Sequence, residues 1–202
     1  MDLANVVPWG RSFDEYQKMF GLSDDDLDKR ILGCGDGPAS FNAEATERAC
    51  QIISCDPVYQ FKAEEIRHRI DQVYPEIMTK MQQGADSYIW DSMGSIEQLG
   101  EVRMNAMSRF LSDFDTGRQQ GRYLPASLPS LPFPNSGFDL ALCSHFLFLY
   151  SDHVDGAAHL ASMRELCRVA SEVRVFPVIS GTPQSQGVRR YRLSATVILK
   201  II

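Results

Sequence analysis

Short apolar runs alternate with amphipathic segments along this chain, and the alternation predicts strands separated by helices. Runs typical of strands fall at 30–32, 51–55, 122–124, 138–143 and 172–176. Helices are predicted at about 38–49 and about 154–169. Five strands joined by right-handed crossovers make an α/β fold, which is a doubly wound, mostly parallel sheet with helices on both faces.

A helical insertion separates the second and third predicted strands. Residues 60–118 are predicted to be mostly helical, and they are far more numerous than a usual connection requires. A charged helix over 62–72 is followed by Pro75, which predicts a kink or a fresh helix start. Apolar residues then recur at helical spacing from Ile96 to Phe114. This stripe favours core packing over a lid that contacts a ligand.

The end of the chain has room for one more predicted strand, over 192–202, and closes on a strongly apolar run. Such a terminus is expected to be buried in a sheet or to pair with a second copy in a homodimer. It could also be left over from a shortened or altered reading of a longer protein. The last of these alternatives implies a shortened C-terminal end of the fold.

Composition and charge narrow the function classes. With 202 residues, 44% of them hydrophobic, the chain predicts a single domain over 1–202. A net charge of -6 disfavours nucleic acid and anionic membranes as partners. Five cysteines without a CxxC pair indicate a reduced, cytoplasmic protein, and the sequence has no pattern of an export signal or a membrane span. Small molecules and proteins are the favoured partners.

The strongest candidate for chemistry is the glycine-rich turn after the first strand. Gly33, Gly35 and Gly37 alternate where strand gives way to helix, and Asp56 ends the next strand. Glycines leave the backbone bare for a ligand, and nucleotide-binding folds use a carboxylate near this offset for ribose hydroxyls. Pro38 stands where the dinucleotide fingerprint needs its third glycine. Pro38 therefore argues against a nicotinamide-dependent oxidoreductase, which stays as an alternative function.

Four segments together resemble the class I S-adenosylmethionine-dependent methyltransferases, over about residues 31 to 177. Leu32–Gly37 is similar to the first motif of that family, and Ile53–Asp56 to the second. Leu131–Leu142 is similar to the loop and fourth strand, and Arg164–Val169 to the helix behind it. The resemblance implies a Rossmann-like domain that transfers a methyl group from S-adenosylmethionine to an unidentified small-molecule or protein acceptor. A non-catalytic S-adenosylmethionine-binding or interaction module of the same fold is the alternative.

The resemblance also implies which residues bind the cofactor. Backbone N–H groups around Gly35 are expected to hold its carboxylate, and Asp56 to accept both ribose hydroxyls. The family's adenine-binding acid is missing, and its position falls on Ser127, where a hydroxyl and the Leu128 N–H replace it. Ser127 as an ordinary turn residue is the alternative. The expected set is Gly33, Cys34, Gly35, Asp36, Gly37, Asp56, Pro57, Ser127, Leu128, Ser144, Tyr16 and Arg11.

The reacting end of the site is expected near the fourth strand. Ser144 and His145 follow that strand, at the edge where open α/β sheets bind ligands, so His145 is the candidate catalytic residue. The alternative is that His145 is a core histidine whose ring is hydrogen-bonded within the protein. The N-terminal segment, 1–28, is predicted to cap the cofactor, because Tyr16 resembles the site-closing tyrosine of small-molecule methyltransferases and Arg11 could pair with the cofactor carboxylate. These residues could instead only pin the N-terminus to the core. The sequence shows no cluster with metal-ligand spacing, so no metal is expected.

Overall fold

Five parallel strands and one antiparallel strand form a single sheet in the computed structural model, which describes residues 2–84, 94–144, 156–177 and 197–200. The strands are β1 Arg30–Cys34, β2 Gln51–Cys55, β3 Tyr123–Leu124, β4 Phe138–Ser144, β5 Ala170–Phe176 and β6 Val197–Lys200. Their order across the sheet is β3-β2-β1-β4-β5-β6, and β6 runs antiparallel to β5. The predicted doubly wound, mostly parallel sheet is confirmed.

Helices cover both faces of this sheet. Within the described residues they are α1 Phe13–Phe20, α2 Asp24–Leu27, α3 Phe41–Glu47, α4 Ala63–Gln83, α5 Ile96–Gln119 and α6 Gly156–Val169. Alternation along β1 explains the two faces, because successive side chains point to opposite sides. Ile31 packs toward α1 and α3, whereas Leu32 packs toward α6. Helices α4 and α5 form the insertion that the sequence predicts between the second and third strands.

The helix after the glycine-rich turn is shorter than predicted. It runs over Phe41–Glu47 rather than from about 38 to 49. Gly37 adopts a left-handed φ of +52°, and the Ser40 N–H donates to the Arg11 carbonyl oxygen at 3.0 Å, so helical hydrogen bonding starts later. Ala49, with a φ of +63°, turns the chain toward β2 at the other end. Positive φ values break the helical path at both boundaries.

The insertion adds its own aromatic core. Helix α4 continues through Pro75 as one helix, so the predicted restart does not occur. The apolar stripe of α5 buries Phe110 and Phe114 against Tyr59 and Tyr123, with ring centroids 4.9 to 5.9 Å apart. These residues are at most 3% exposed. This part of the stripe serves core packing, as its spacing indicates.

A buried ionic cluster ties α2 to β5. Arg174 donates to Asp26 at 2.9 Å and to Glu172 at 2.7 Å. Its Nη1 also reaches the carbonyl oxygens of Phe20 and Gly21, where α1 ends. Burial works against ionisation, but hydrogen bonds from Lys29 and Arg174 hold the pKa of Asp26 well below its ordinary value. The segment before β1 is thereby anchored to the sheet.

The described part of the last predicted strand belongs to the sheet. Of the predicted run 192–202, the structure describes Val197–Lys200, which pairs along β5 from Glu172 to Val175. This segment therefore lies in the sheet, in line with the first alternative given for the apolar C-terminal run, which is burial in a sheet. A homodimer stays a prediction.

Candidate functional site

The carboxyl ends of β1 and β2 meet at one edge of the sheet, where the glycine-rich turn leaves β1. Gly35 and Gly37 have φ values of +72° and +52°, which favour glycine. Gly33 has no room for a side chain, because a Cβ there would lie 1.9 Å from the Oδ2 of Asp36. The Gly35 N–H donates to the Cys55 carbonyl oxygen at 2.9 Å. The turn is thus held back against the sheet edge.

Asp36 is the centre of a buried polar network beneath this turn. Its carboxylate accepts hydrogen bonds from the Tyr16 hydroxyl at 2.8 Å and the Ser54 hydroxyl at 2.6 Å. The Ser144 side chain in turn hydrogen-bonds the Tyr16 oxygen, and Asn42 donates to Ser54. Burial raises the pKa of Asp36 to about 7, against the lowering effect of the two hydroxyls. Asp36 therefore changes charge near neutral pH.

Asp56 lies at the end of β2, beside the glycine-rich turn. Its Oδ2 accepts from the Gly37 N–H at 2.9 Å, and its Oδ1 accepts from the Val58 N–H at 2.8 Å. Burial raises the pKa of Asp56, and the two N–H groups oppose that rise. The carboxylate also caps a 3-10 turn at Pro57–Gln60. Both oxygens are thereby fixed in direction.

Tyr59 is a residue of this site that the sequence interpretation missed. Its hydroxyl donates to the Gly37 carbonyl oxygen at 2.8 Å, and its ring is fully buried in the aromatic core of the insertion. It thus joins the glycine-rich turn to α5. Its place three residues after Asp56 is the signal that could have indicated it.

A cavity of about 540 Å³ opens at this edge of the sheet, and this size is typical of small-molecule and cofactor sites. One wall is the glycine-rich turn with Asp56, and another is the loop that follows β3. A third wall is the N-terminal strap, residues 5–11, together with Ile77 of α4. Of the expected cofactor residues, the cavity is lined by Cys34, Gly35, Asp36, Gly37, Asp56, Pro57, Ser127, Leu128 and Arg11.

The other expected residues lie behind the cavity or outside the described part of the chain. Gly33 and Tyr16 sit beneath the turn, through the contacts with Asp36 given above, and Ser144 is buried beside Tyr16. Tyr16 is completely buried, so it supports the turn and does not line the cavity. His145 lies outside the described residues, and its catalytic role stays a prediction. No group of potential metal ligands occurs among the residues that the structure describes.

The loop after β3 is held in place by α6. Glu165 accepts from the Leu131 N–H at 2.7 Å, and Arg168 donates to the carbonyl oxygens of Leu131 and Phe133. Glu165 and Arg168 also pair with each other at 2.7 Å. These contacts present Ser127 and Leu128 to the cavity. They explain why the motif on α6 accompanies the motif on the loop.

The strap is held on its outer side by the insertion. Arg69 of α4 donates to the Val6 carbonyl oxygen at 2.9 Å and to the Ala4 carbonyl oxygen at 2.5 Å. The ring of Trp9 stacks on Tyr74, with centroids 6.1 Å apart. Position 10 accepts only glycine, since a Cβ there would lie 2.1 Å from the Pro38 carbonyl oxygen. The strap is thus clamped between the insertion and the glycine-rich turn.

Two arginines share one carboxylate at the strap. Arg11 pairs with Glu15 at 3.5 Å, and Arg103 of α5 donates to the other oxygen of Glu15 at 2.5 Å. The Arg103 side chain is fully buried and lies 6.0 Å from the Trp9 ring. Burial lowers the pKa of Arg11, although Glu15 acts in the opposite direction. Arg103 was missed by the sequence interpretation, although a charge at helical spacing between Leu99 and Met107 was the available signal.

Comparisons with known proteins add a relative but no established activity. No protein-family model matches the chain. It is 30% identical over 182 residues to "Uncharacterized protein MJ0045" of Methanocaldococcus jannaschii, and the match covers 89% of this chain and 81% of that protein. A 1.15 Å crystal structure from Methanococcus maripaludis, of a protein (mmp1179) proposed to be an S-adenosyl-L-methionine-dependent methyltransferase, is 11% identical with a TM-score of 0.39. The match covers 81% of this chain and spans 52% of the crystallised one. Among the described residues, no helix is long and apolar enough to cross a membrane.

Proposed function

We propose that this chain, which belongs to the same family as the Methanocaldococcus jannaschii protein MJ0045, binds S-adenosylmethionine in the cavity and transfers its methyl group to a small molecule or protein. The observation that carries the proposal is the geometry of Asp56 beside the glycine-rich turn. The resemblance of four sequence segments to class I methyltransferases points to the same cofactor.

Asp56 retains the acceptor capacity that a ribose needs. An ionised carboxylate offers about four acceptor positions, and Gly37 and Val58 occupy one on each oxygen. One position on each oxygen is left, which matches the two adjacent hydroxyls of a ribose. The two backbone N–H groups hold the carboxylate in one orientation before the ligand arrives. This preorganisation lowers the entropy cost of binding.

The geometry favours this cofactor over a dinucleotide. A pyrophosphate is bound at an open helix N-terminus after the glycine turn. Here α3 begins four residues after Gly37, and the Ser40 N–H at its start donates to Arg11 of the strap. The strap therefore occupies the position that a pyrophosphate would need. A cofactor with a single nucleoside suits the cavity better.

The chain's own contribution to transfer would be positioning and exclusion of water. Bound S-adenosylmethionine would supply an activated methyl group, because its sulfonium leaves as a neutral sulfide. The strap and the loop after β3 form walls of the cavity, and they would limit the access of water to a bound cofactor. Alignment of two reactants in such a site can contribute roughly 7 to 11 kcal/mol to lowering the barrier. A general base is needed only for an acceptor that must lose a proton before attack.

Calorimetry on the full chain tests the cofactor. We expect S-adenosylhomocysteine, the demethylated product, to bind the unchanged protein, and Asp56→Ala to weaken binding about 100-fold through loss of two charge-assisted hydrogen bonds. Asp71→Ala is the matched control, because Asp71 is an exposed carboxylate on α4. Absence of binding to the unchanged protein would refute the proposal.

A screen with radiolabelled S-adenosylmethionine separates an enzyme from a binding module. Incubation with pooled small molecules and with protein fractions should yield labelled product, and Asp56→Ala should abolish it. Tight cofactor binding without transfer to any acceptor in the screen would favour the non-catalytic alternative.

A further inference from the structure

Gly37 is held by residues that follow β2. Its N–H donates to the Oδ2 of Asp56 at 2.9 Å, and its carbonyl oxygen accepts from the Tyr59 hydroxyl at 2.8 Å. Its φ of +52° is left-handed, and no described residue beyond its chain neighbours lies within 4 Å of the place where a Cβ would stand. Contacts on that side therefore do not restrain Gly37, and the two hydrogen bonds hold its conformation.

Asp56, Tyr59 and Gly37 form a closed path of hydrogen bonds. The Tyr59 N–H donates to the Asp56 carbonyl oxygen at 3.1 Å, within the 3-10 turn that Asp56 caps. The Tyr59 hydroxyl reaches the carbonyl oxygen of Gly37, and the Gly37 N–H returns to the Asp56 carboxylate. Loss of the hydroxyl would open this path and release the Gly37 carbonyl. The N–H that directs one oxygen of Asp56 would then lose its fixed position.

The aromatic core of the insertion fixes the ring of Tyr59. The ring centroid lies 5.9 Å from that of Phe110, 5.7 Å from that of Phe114 and 5.2 Å from that of Tyr123. A buried phenol hydroxyl needs a hydrogen-bond partner, and this one has the Gly37 carbonyl oxygen. Burial also raises the pKa of Tyr59 well above its ordinary value, so the hydroxyl keeps its proton and stays a donor. Helix α5 thereby holds the donor in place.

The effect of Tyr59 on a ligand has to pass through Gly37 and Asp56. These two residues line the cavity, whereas Tyr59 does not. Of the two N–H groups on the Asp56 carboxylate, that of Val58 belongs to the same turn as Asp56. Only the Gly37 N–H comes from the glycine-rich turn, so this contact sets where the carboxylate stands relative to that turn. Its geometry therefore matters for a ligand that touches both.

We propose that Tyr59 is a positioning residue of the nucleoside site, which holds Gly37 so that the Gly37 N–H directs the Asp56 carboxylate at the ribose hydroxyls. The proposal rests on the proposed function, because it takes a ribose as the ligand of Asp56. It also gives the insertion a role beyond packing. The aromatic core built on α5 sets the geometry of a carboxylate that none of its rings needs to touch.

Calorimetry with S-adenosylhomocysteine on Tyr59→Phe tests the positioning role. The substitution keeps the ring and removes only the donor, and we expect binding to be about 10-fold weaker. Tyr123→Phe is the matched control, because it removes a hydroxyl from the same aromatic core, one that donates to Asp113 at 2.9 Å. The control should bind as the unchanged protein does. Full affinity in Tyr59→Phe, or an equal loss in both variants, would overturn the proposal.

A double-mutant cycle separates positioning from a general structural role. In the Asp56→Ala background there is no carboxylate to direct, so adding Tyr59→Phe should weaken S-adenosylhomocysteine binding by less than about 2-fold. A loss as large as in the unchanged background would overturn the proposal, because Tyr59 would then act independently of Asp56.

Hydrogen exchange of the Gly37 N–H, followed by NMR without ligand, tests the same contact independently of the cofactor. Exchange should be faster in Tyr59→Phe and unchanged in Tyr123→Phe. If the unchanged protein does not bind S-adenosylhomocysteine, the proposed function fails by itself. Faster exchange confined to Tyr59→Phe would then still support the positioning role, and equal exchange in both variants would overturn it.

Discussion

Replacing Asp36 by asparagine should remove a large and unusual pH dependence of stability. The buried carboxyl has its pKa raised from 3.8 to about 7. At about 1.4 kcal/mol per pKa unit, this rise corresponds to about 4 kcal/mol. The folded chain holds the proton more tightly than the unfolded chain. The stabilisation that folding gains from holding this proton on Asp36 is therefore fully present below pH 3.8, and it is lost as the pH rises through about 7.

The assay is urea unfolding of the unchanged protein and of Asp36→Asn from pH 4 to pH 8. Asparagine does not titrate, so the unfolding free energy of the variant minus that of the unchanged protein should rise by up to about 4 kcal/mol across this range. Other carboxylates, such as the paired Asp26, cancel in the difference. Asp71→Asn should give a curve parallel to the unchanged protein. If Asp36→Asn also gave a parallel curve, the assignment of the buried titration to Asp36 would be wrong.

Three further substitutions test other parts of the structure. Gly33→Ala should displace the Asp36 carboxylate, lower the unfolding free energy by about 1 to 3 kcal/mol and weaken S-adenosylhomocysteine binding, as urea unfolding and calorimetry would measure. Arg174→Met should cost about 3 to 5 kcal/mol in urea unfolding at neutral pH, because two buried carboxylates lose their buried cationic partner while the more exposed Lys29 remains, and a loss under about 1 kcal/mol would contradict this. Arg69→Met should release the strap, so limited proteolysis should cut it faster while global stability changes little; an unchanged cleavage rate would count against the clamp.

The strands could be predicted from the sequence because each one is a short apolar run, which is a local feature of the chain. Buried strands such as Phe138–Ser144 are nearly continuous apolar runs, and Pro57 marks where β2 has just ended. The length of the insertion was equally visible. Helix boundaries were less accurate, as at α3, where the Arg11 carbonyl, distant in sequence, takes the Ser40 N–H.

By itself, the sequence determined the α/β class, the glycine-rich turn and the position of Asp56 at the end of β2. These features follow from periodicity and from residue types that only certain backbone conformations accept. Tertiary structure alone decided that Tyr16 supports Asp36 beneath the turn and that Arg103 meets Glu15 across 88 residues. Such pairs leave no periodic trace in the sequence, because their contact depends on how helices pack against the sheet. The same packing buries the Arg103 side chain completely.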